Sequence, residues 1–211
     1  MGRAVAGAGA SLAIALALTA CGSSPGAAPS APAPSATATA TARPTPAVEV
    51  PIAAATPSPT RRPVPPVRVV AASIDVDIPV VPVGVEAGGF MELPVDPAIG
   101  GWYRFGSDPV ALDGNVVISA HIDAPQYPIG PLSRLRDLPA GEVVEVTDAA
   151  GDVRRYQVQS VTYYPKADLP VDELFARSGT RNLVLITCGG QFDSRTGRYA
   201  DNVVAIATPI T

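Results

Sequence analysis

The chain carries the apolar run Leu183-Val184-Leu185-Ile186-Thr187-Cys188-Gly189-Gly190, which ends at a cysteine and two glycines. Aliphatic and β-branched residues in so short a run predict a buried β-strand. A second run of the same kind is Asn115-Val116-Val117-Ile118-Ser119-Ala120-His121, and it ends at a histidine. Each run is therefore expected to present a reactive side chain at the end of its strand, where the backbone opens into a loop.

Other short segments rich in β-branched residues surround these two runs. They are residues 67–70, 74–78, 80–85, 142–147, 153–164 and 202–207. Turn-forming clusters such as 112–115 and 148–152 separate them, and helix signals are confined to 129–136 and 172–177. This punctuation predicts a mainly β architecture, either a closed barrel or a sandwich, with short helices.

Aromatic residues place the folded domain in the second part of the 211-residue chain. The six Tyr, four Phe and one Trp all follow Pro66. Residues 67–211 have the usual size of one domain, so a single catalytic or binding domain is predicted there. In this segment 11 basic residues face 18 acidic ones, a net charge of -7. That balance argues against nucleic acid or an anionic lipid surface as the main partner.

The N-terminus has the pattern of a secretory signal. Arg3 precedes the uncharged apolar stretch Val5–Leu18, which is shorter than the roughly 20 residues that span a bilayer. The segment Leu18-Thr19-Ala20-Cys21 resembles the lipobox of bacterial lipoproteins. Residues 1–21 are therefore predicted to be a signal peptide whose Cys21 is lipidated, so that the lipid alone anchors the protein. An uncleaved membrane anchor is the alternative.

Residues 22–66 have the composition of a linker. They contain 12 of the 24 prolines, with Ala, Thr and Ser making up most of the rest. Such a sequence cannot bury enough apolar surface to fold, so a disordered, semi-rigid spacer is predicted.

The residue types at the two strand ends suit acyl transfer. If Cys21 is lipidated, Cys188 has no partner for an intrachain disulfide, and a thiolate is a strong nucleophile. His121 is the only histidine, and one imidazole can both protonate a leaving amine and deprotonate an incoming one. A hairpin from 183–187 to 202–207 would bring Arg198 near the thiol as an oxyanion donor, with Arg195 as the rival. An inert buried thiol, a structural histidine and solvated arginines are the alternatives.

Several longer motifs resemble the sortases, the cysteine transpeptidases of Gram-positive cell surfaces, and are similar to the actinobacterial class F in particular. They are residues 67–69, 74–80, 83–85, 91–94, 99–103, 115–123, 187–193 and 199–204. The resemblance implies a closed eight-stranded β-barrel that cleaves a Leu-Pro-x-Thr-Gly-like sorting signal of secreted proteins. A thioester on the cysteine is then resolved by an amine of a peptidoglycan precursor or by another amine.

Site residues follow from the same resemblance. It implies that Cys188 is the nucleophile, that His121 is the general acid and base, and that the hydroxyl of Thr187 helps at the oxyanion. Relatives place their arginine at slightly different positions; residue 200 is Ala here, which leaves Arg198 with Arg195 as its rival. No cofactor and no metal are expected, and the protein is expected to act as a monomer on the outer face of a Gram-positive-type plasma membrane.

Three other functions fit the sequence less well. A cell-wall L,D-transpeptidase would have a histidine two residues before its cysteine, and Cys188 has none nearby. A papain-like peptidase would have its cysteine before its histidine and at a helix start, whereas His121 comes first. A lipid-anchored β-barrel that only binds would retain Cys188 and His121 as structural residues.

Overall fold

The computed structural model describes residues 61–211, which form eight β-strands and short helical turns. The strands are β1 Pro66–Ala71, β2 Val76–Val83, β3 Gly100–Tyr103, β4 Asn115–Ser119, β5 Val143–Asp148, β6 Val153–Pro165, β7 Asn182–Asp193 and β8 Arg198–Ile210. One α-helical turn, α1, spans Val171–Leu174, and 3-10 turns span Ala72–Ile74, Pro131–Asp137 and Lys166–Asp168. None of these helices in the described range is long and apolar enough to cross a bilayer.

The strands close into one barrel in the order β1-β2-β3-β4-β7-β8-β6-β5, with β5 pairing back onto β1. Most pairs are antiparallel, but β2 pairs with β3 and β4 pairs with β7 in parallel. The prediction of a mainly β, closed eight-stranded barrel with short helices is therefore confirmed.

The barrel interior is filled by alternate residues of every strand. Representative members of this core are Val69, Ile78, Trp102, Ile118, Val146, Tyr156, Leu185 and Ala205. Leu132 and Leu135 from the 3-10 turn Pro131–Asp137 join the same core and are fully buried. Alternation in a strand sends every second side chain to the other face, so the remaining residues lie on the outside of the barrel.

On β4, β7 and β8 the outer face is also buried. Val117, Val184 and Val204 form a second apolar cluster there, and Leu174 of α1 and the partly buried Leu169 pack onto it. The sequence of a strand that is buried on both faces is a continuous apolar run, whereas a strand buried on one face alternates between apolar and polar residues. This explains why β4 and the first half of β7 are the most apolar stretches of the folded domain.

Four details differ from the sequence-based expectations. The predicted segments 74–78 and 80–85 join into the single strand β2, after a 3-10 turn at Ala72–Ile74. Strand β3 was not predicted, and the helix signals at 129–136 and 172–177 become a 3-10 turn and one α-helical turn. The expectation that Cys188 ends its strand is wrong, because β7 continues to Asp193.

A β-bulge lies just beyond Cys188. Gly189 pairs with Asp201 and Phe192 pairs with Tyr199, so two residues of β7 face only one residue of β8. Gly190 adopts a φ of 74°, and a Cβ there would lie 2.1 Å from a carboxylate oxygen of Asp201. A glycine is therefore required at this position. The bulge, rather than a strand end, changes the course of the chain next to the thiol.

Candidate active site

The parallel pairing of β4 with β7 brings His121 and Cys188 together. Its register runs from Asn115 opposite Asn182 to Ser119 opposite Ile186. Two residues further along each chain, the same register places His121 level with Cys188. The Ser119 hydroxyl donates to the Ile186 carbonyl at 2.8 Å and fixes the two strands at this point.

Both side chains belong to the outer face of the barrel. His121 continues the face that begins with Val117 and Ser119, and Cys188 continues the face of Val184 and Ile186. Both are partly exposed, and they line one cavity of about 570 Å³. The site thus lies at one end of an outer face whose middle is the apolar cluster of Val117, Val184 and Val204.

Thr187 does not face this cavity. It lies inside the barrel wall at 2% exposure, and its hydroxyl donates to the carbonyl of Ala120 at 2.9 Å. Neighbouring residues of a strand point to opposite faces, so the side chains of Thr187 and Cys188 leave β7 on opposite sides. In this structure the hydroxyl ties the end of β4 to β7, and its role at the oxyanion stays a prediction.

The two candidate arginines occupy different places. Arg198 begins β8 and lines the cavity together with Cys188 and His121. Arg195 lies in the turn between β7 and β8, where its side chain is 83% exposed and its guanidinium is 3.6 Å from the carboxylate of Asp193. The geometry therefore favours Arg198 over Arg195 as the cation available to a substrate in this cavity.

Asp123 and Tyr199 connect the two sides of the cavity. The Tyr199 hydroxyl donates to the Asp123 carboxylate at 2.5 Å, and the Tyr199 ring packs against Phe192 with the centroids 5.0 Å apart. The hydrogen bond to Asp123, together with burial, raises the pKa of Tyr199 to about 12, so the phenol remains a donor at neutral pH. The bond holds the loop after His121 against the start of β8, where Arg198 lies.

Tyr199→Phe is expected to lower kcat/KM for a cleavable peptide about tenfold, because Arg198 and His121 are then less well fixed relative to each other. The ring and its packing on Phe192 remain. A matched control is Tyr127→Phe, which lies in the same loop as Asp123 and whose hydroxyl makes no hydrogen bond within residues 61–211. Steady-state rates for Tyr199→Phe within twofold of the Tyr127→Phe control would show that this bond does not position the site.

Residue Lys166 also lines the cavity, although the sequence motifs did not point to it. It follows β6, and its Nζ lies 3.7 Å from the Sγ of Cys188. Lys166 and Cys188 are far apart in the sequence, so no sequence pattern indicated this contact. Asp123 and Tyr199 were likewise missed as a pair, since 76 residues separate them.

A second, apolar cavity lies along the same outer face. It encloses about 330 Å³, and its lining includes Ser119, Ile186 and Asn202. Ser119 and Ile186 come two residues before His121 and Cys188, and Asn202 pairs with Cys188. Met91, Tyr103, Leu169, Val171 and Phe175 provide most of its apolar wall. An extended peptide lying along β4 and β7 would therefore contact apolar side chains before it reached the thiol.

Metal-ligating side chains are not gathered at this site. Among residues 61–211 no group of three or more His, Cys, Asp or Glu side chains is placed to hold a metal ion. The expectation that the protein needs no metal or cofactor stays a prediction.

Three solved structures with a similar fold are described as sortases of type C. Sortase C-1 of Streptococcus pneumoniae is 23% identical, with a TM-score of 0.52 over 68% of this chain and 66% of that chain. Sortase C-1 of Actinomyces oris is 21% identical, with a TM-score of 0.53 over 71% and 74% of the two chains. The group B Streptococcus pilus island 1 sortase C2 is 21% identical, with a TM-score of 0.52 over 68% and 73%. At these identities the likeness concerns the fold alone.

No curated protein matches the chain. The family model that describes the sortase domain matches residues 69–210, which is nearly all of the barrel and includes every residue of the cavity described above. The chain belongs to the sortase family.

Proposed function

We propose that this sortase is an extracytoplasmic cysteine transpeptidase that cleaves a Leu-Pro-x-Thr-Gly-like sorting signal and transfers the acyl group to a cell-wall amine. One observation carries the proposal: the only histidine of the chain, two residues past the end of β4, lies level with Cys188 of the neighbouring parallel strand β7, and both line one cavity with Arg198. These three side chains supply a nucleophile, a proton carrier and a cation for developing negative charge.

Acyl transfer at this site would proceed in two steps. The Cys188 thiolate attacks the carbonyl carbon of the scissile amide, and the C–N bond breaks as imidazolium His121 protonates the departing amine. An acceptor amine then attacks the thioester and gives its proton to the now neutral His121, and the Cys188 thiolate leaves. In both steps the guanidinium of Arg198 donates to the carbonyl oxygen while it carries negative charge.

The apolar cavity supports a substrate with apolar residues ahead of the scissile bond. Its lining runs along β4 and β7 and ends at Ser119 and Ile186, two residues before His121 and Cys188 respectively. The leucine and proline of a sorting signal would bury apolar surface there. Each buried side chain of this size contributes about 1.5–3 kcal/mol, which is enough to select the signal from other extended peptides.

The subclass and the location are part of the same proposal. The motifs quoted above support a class F sortase, and residues 1–21 support a lipidated Cys21 on the outer face of a Gram-positive-type membrane. Cys21 and the linker through residue 60 lie outside the described residues. The proposed monomeric state and the proposed acceptor, a peptidoglycan amine or another amine, likewise rest on the family resemblance.

Product analysis tests this function directly. The purified protein is incubated with a library of quenched peptides of Leu-Pro-x-Thr-Gly type, with and without an amine acceptor, and the products are identified by mass spectrometry. Cleavage after the threonine, with the amine joined to that threonine, is expected. A folded protein whose Cys188 is alkylated normally but which gives no product from any peptide would contradict the proposed substrate class and favour a binding role.

A further inference from the structure

The single lysine of the chain contacts the cysteine thiol. Of 15 basic residues, 14 are arginine and only Lys166 is lysine. Its Nζ donates to the Sγ of Cys188 at 3.7 Å, and both residues line the same cavity. A chain that uses arginine at every other basic position therefore places its one ammonium group against the thiol.

The barrel register explains how Lys166 reaches Cys188 across a strand. Strand β6 ends with Pro165 opposite Asp201 of β8, so Lys166 is level with Ala200. Ala200 shares the outer face of β8 with Asn202, which pairs with Cys188 on β7. Because residue 200 has only a methyl group, the outer face of β8 is open between the lysine and the thiol.

Other charged and titratable groups also face the thiol. His121 and Asp123 line the cavity from the β4 side, and Arg198 and Tyr199 line it from β8. The carboxylate of Asp123 accepts the hydrogen bond of Tyr199. Lys166 itself forms no ion pair with a carboxylate of residues 61–211.

An ammonium within about 4 Å of a thiol favours the charged thiolate over the neutral thiol. We propose that Lys166 is a catalytic residue that stabilises the thiolate of Cys188. This inference rests on the proposed function only in taking Cys188 as the nucleophile. With Lys166 in this role, the thiolate does not depend on a protonated His121 alone.

Alkylation by iodoacetamide tests this inference without any sorting peptide, because only the thiolate reacts. The rate is followed by mass spectrometry at the Cys188 peptide of the full chain, across neutral and alkaline pH. For Lys166→Gln we expect a rate about tenfold lower near neutral pH, because no positive charge then lies beside the Sγ. Lys166→Arg is expected to restore most of the rate, since it returns the positive charge.

Arg155→Gln is the matched control for loss of one positive charge. Arg155 also extends from the β6 side of the barrel, but it pairs with Glu145 at 3.0 Å and does not line the cavity. Its alkylation profile is expected to match the wild type. A Lys166→Gln rate equal to that of the wild type, an equal fall in the rate of Arg155→Gln, or a Lys166→Arg rate as low as that of Lys166→Gln would each overturn the inference. Failure of the proposed function appears instead as missing transfer products while the slower alkylation of Lys166→Gln persists.

Discussion

Cys188→Ala is expected to lose peptide cleavage and amine transfer together, by about 10⁴-fold or more, which brings both to background. Without the thiol no thioester forms, and no other nucleophilic side chain of the cavity replaces it. The fold should survive, because Cys188 is partly exposed on the outer face of the barrel and its loss opens little buried space. Rates are measured with a quenched peptide, and folding is checked by circular dichroism and thermal melting.

Thr187→Val is a useful control beside it. This change leaves the cysteine in place and removes a hydroxyl that donates to the buried carbonyl of Ala120. It should cost about 1–3 kcal/mol of stability because that carbonyl loses its donor, while the thiol stays reactive. Peptide cleavage retained by Cys188→Ala would contradict the assignment of the nucleophile, whatever the stability of either variant.

Arg198→Ala is expected to lower kcat/KM by about 10² to 10³, the usual cost of losing one donor to a developing oxyanion. Arg195→Ala should stay within about twofold of the wild type, because its side chain is exposed and lies beside Asp193 outside the cavity. The pair is well matched, since the two arginines are three residues apart and carry the same charge. Steady-state kinetics with a single peptide substrate measures both variants.

The variant Arg198→Lys tests whether the positive charge alone or the planar shape of the guanidinium is needed. A guanidinium presents several N–H donors in a fixed plane, so Arg198→Lys should recover only part of the rate. If Arg195→Ala showed the large loss and Arg198→Ala did not, the assignment of the arginine made from the cavity lining would be wrong.

Most strands of the barrel can be predicted from the sequence because they follow simple patterns. The middle of β4 and the first half of β7 are almost entirely apolar, since both faces of these segments are buried. Strand β3 was missed because it begins with Gly100 and Gly101, and glycine has no side chain to carry a pattern. Closure of the barrel came from the family resemblance, since short strands alone fit a sandwich equally well.

The site was only partly predictable for a related reason. His121 and Cys188 each end an apolar run, and that local pattern singled them out. The inward direction of Thr187 depends on which face of β7 is the barrel interior, which the run of five buried residues does not reveal. The contacts of Lys166 and Tyr199 depend on the pairing of distant strands and on a bulge, so neither could be derived from spacing along the chain.

Intact mass spectrometry of the protein mixed with a cleavable sorting peptide tests the central claim most directly. The account predicts a mass increase equal to the acyl part of the peptide, located on Cys188, which disappears when an amine acceptor is added and the amide product forms. Formation of that product with no adduct on Cys188, or an adduct on another residue that the amine discharges, would contradict a thioester mechanism at this cysteine.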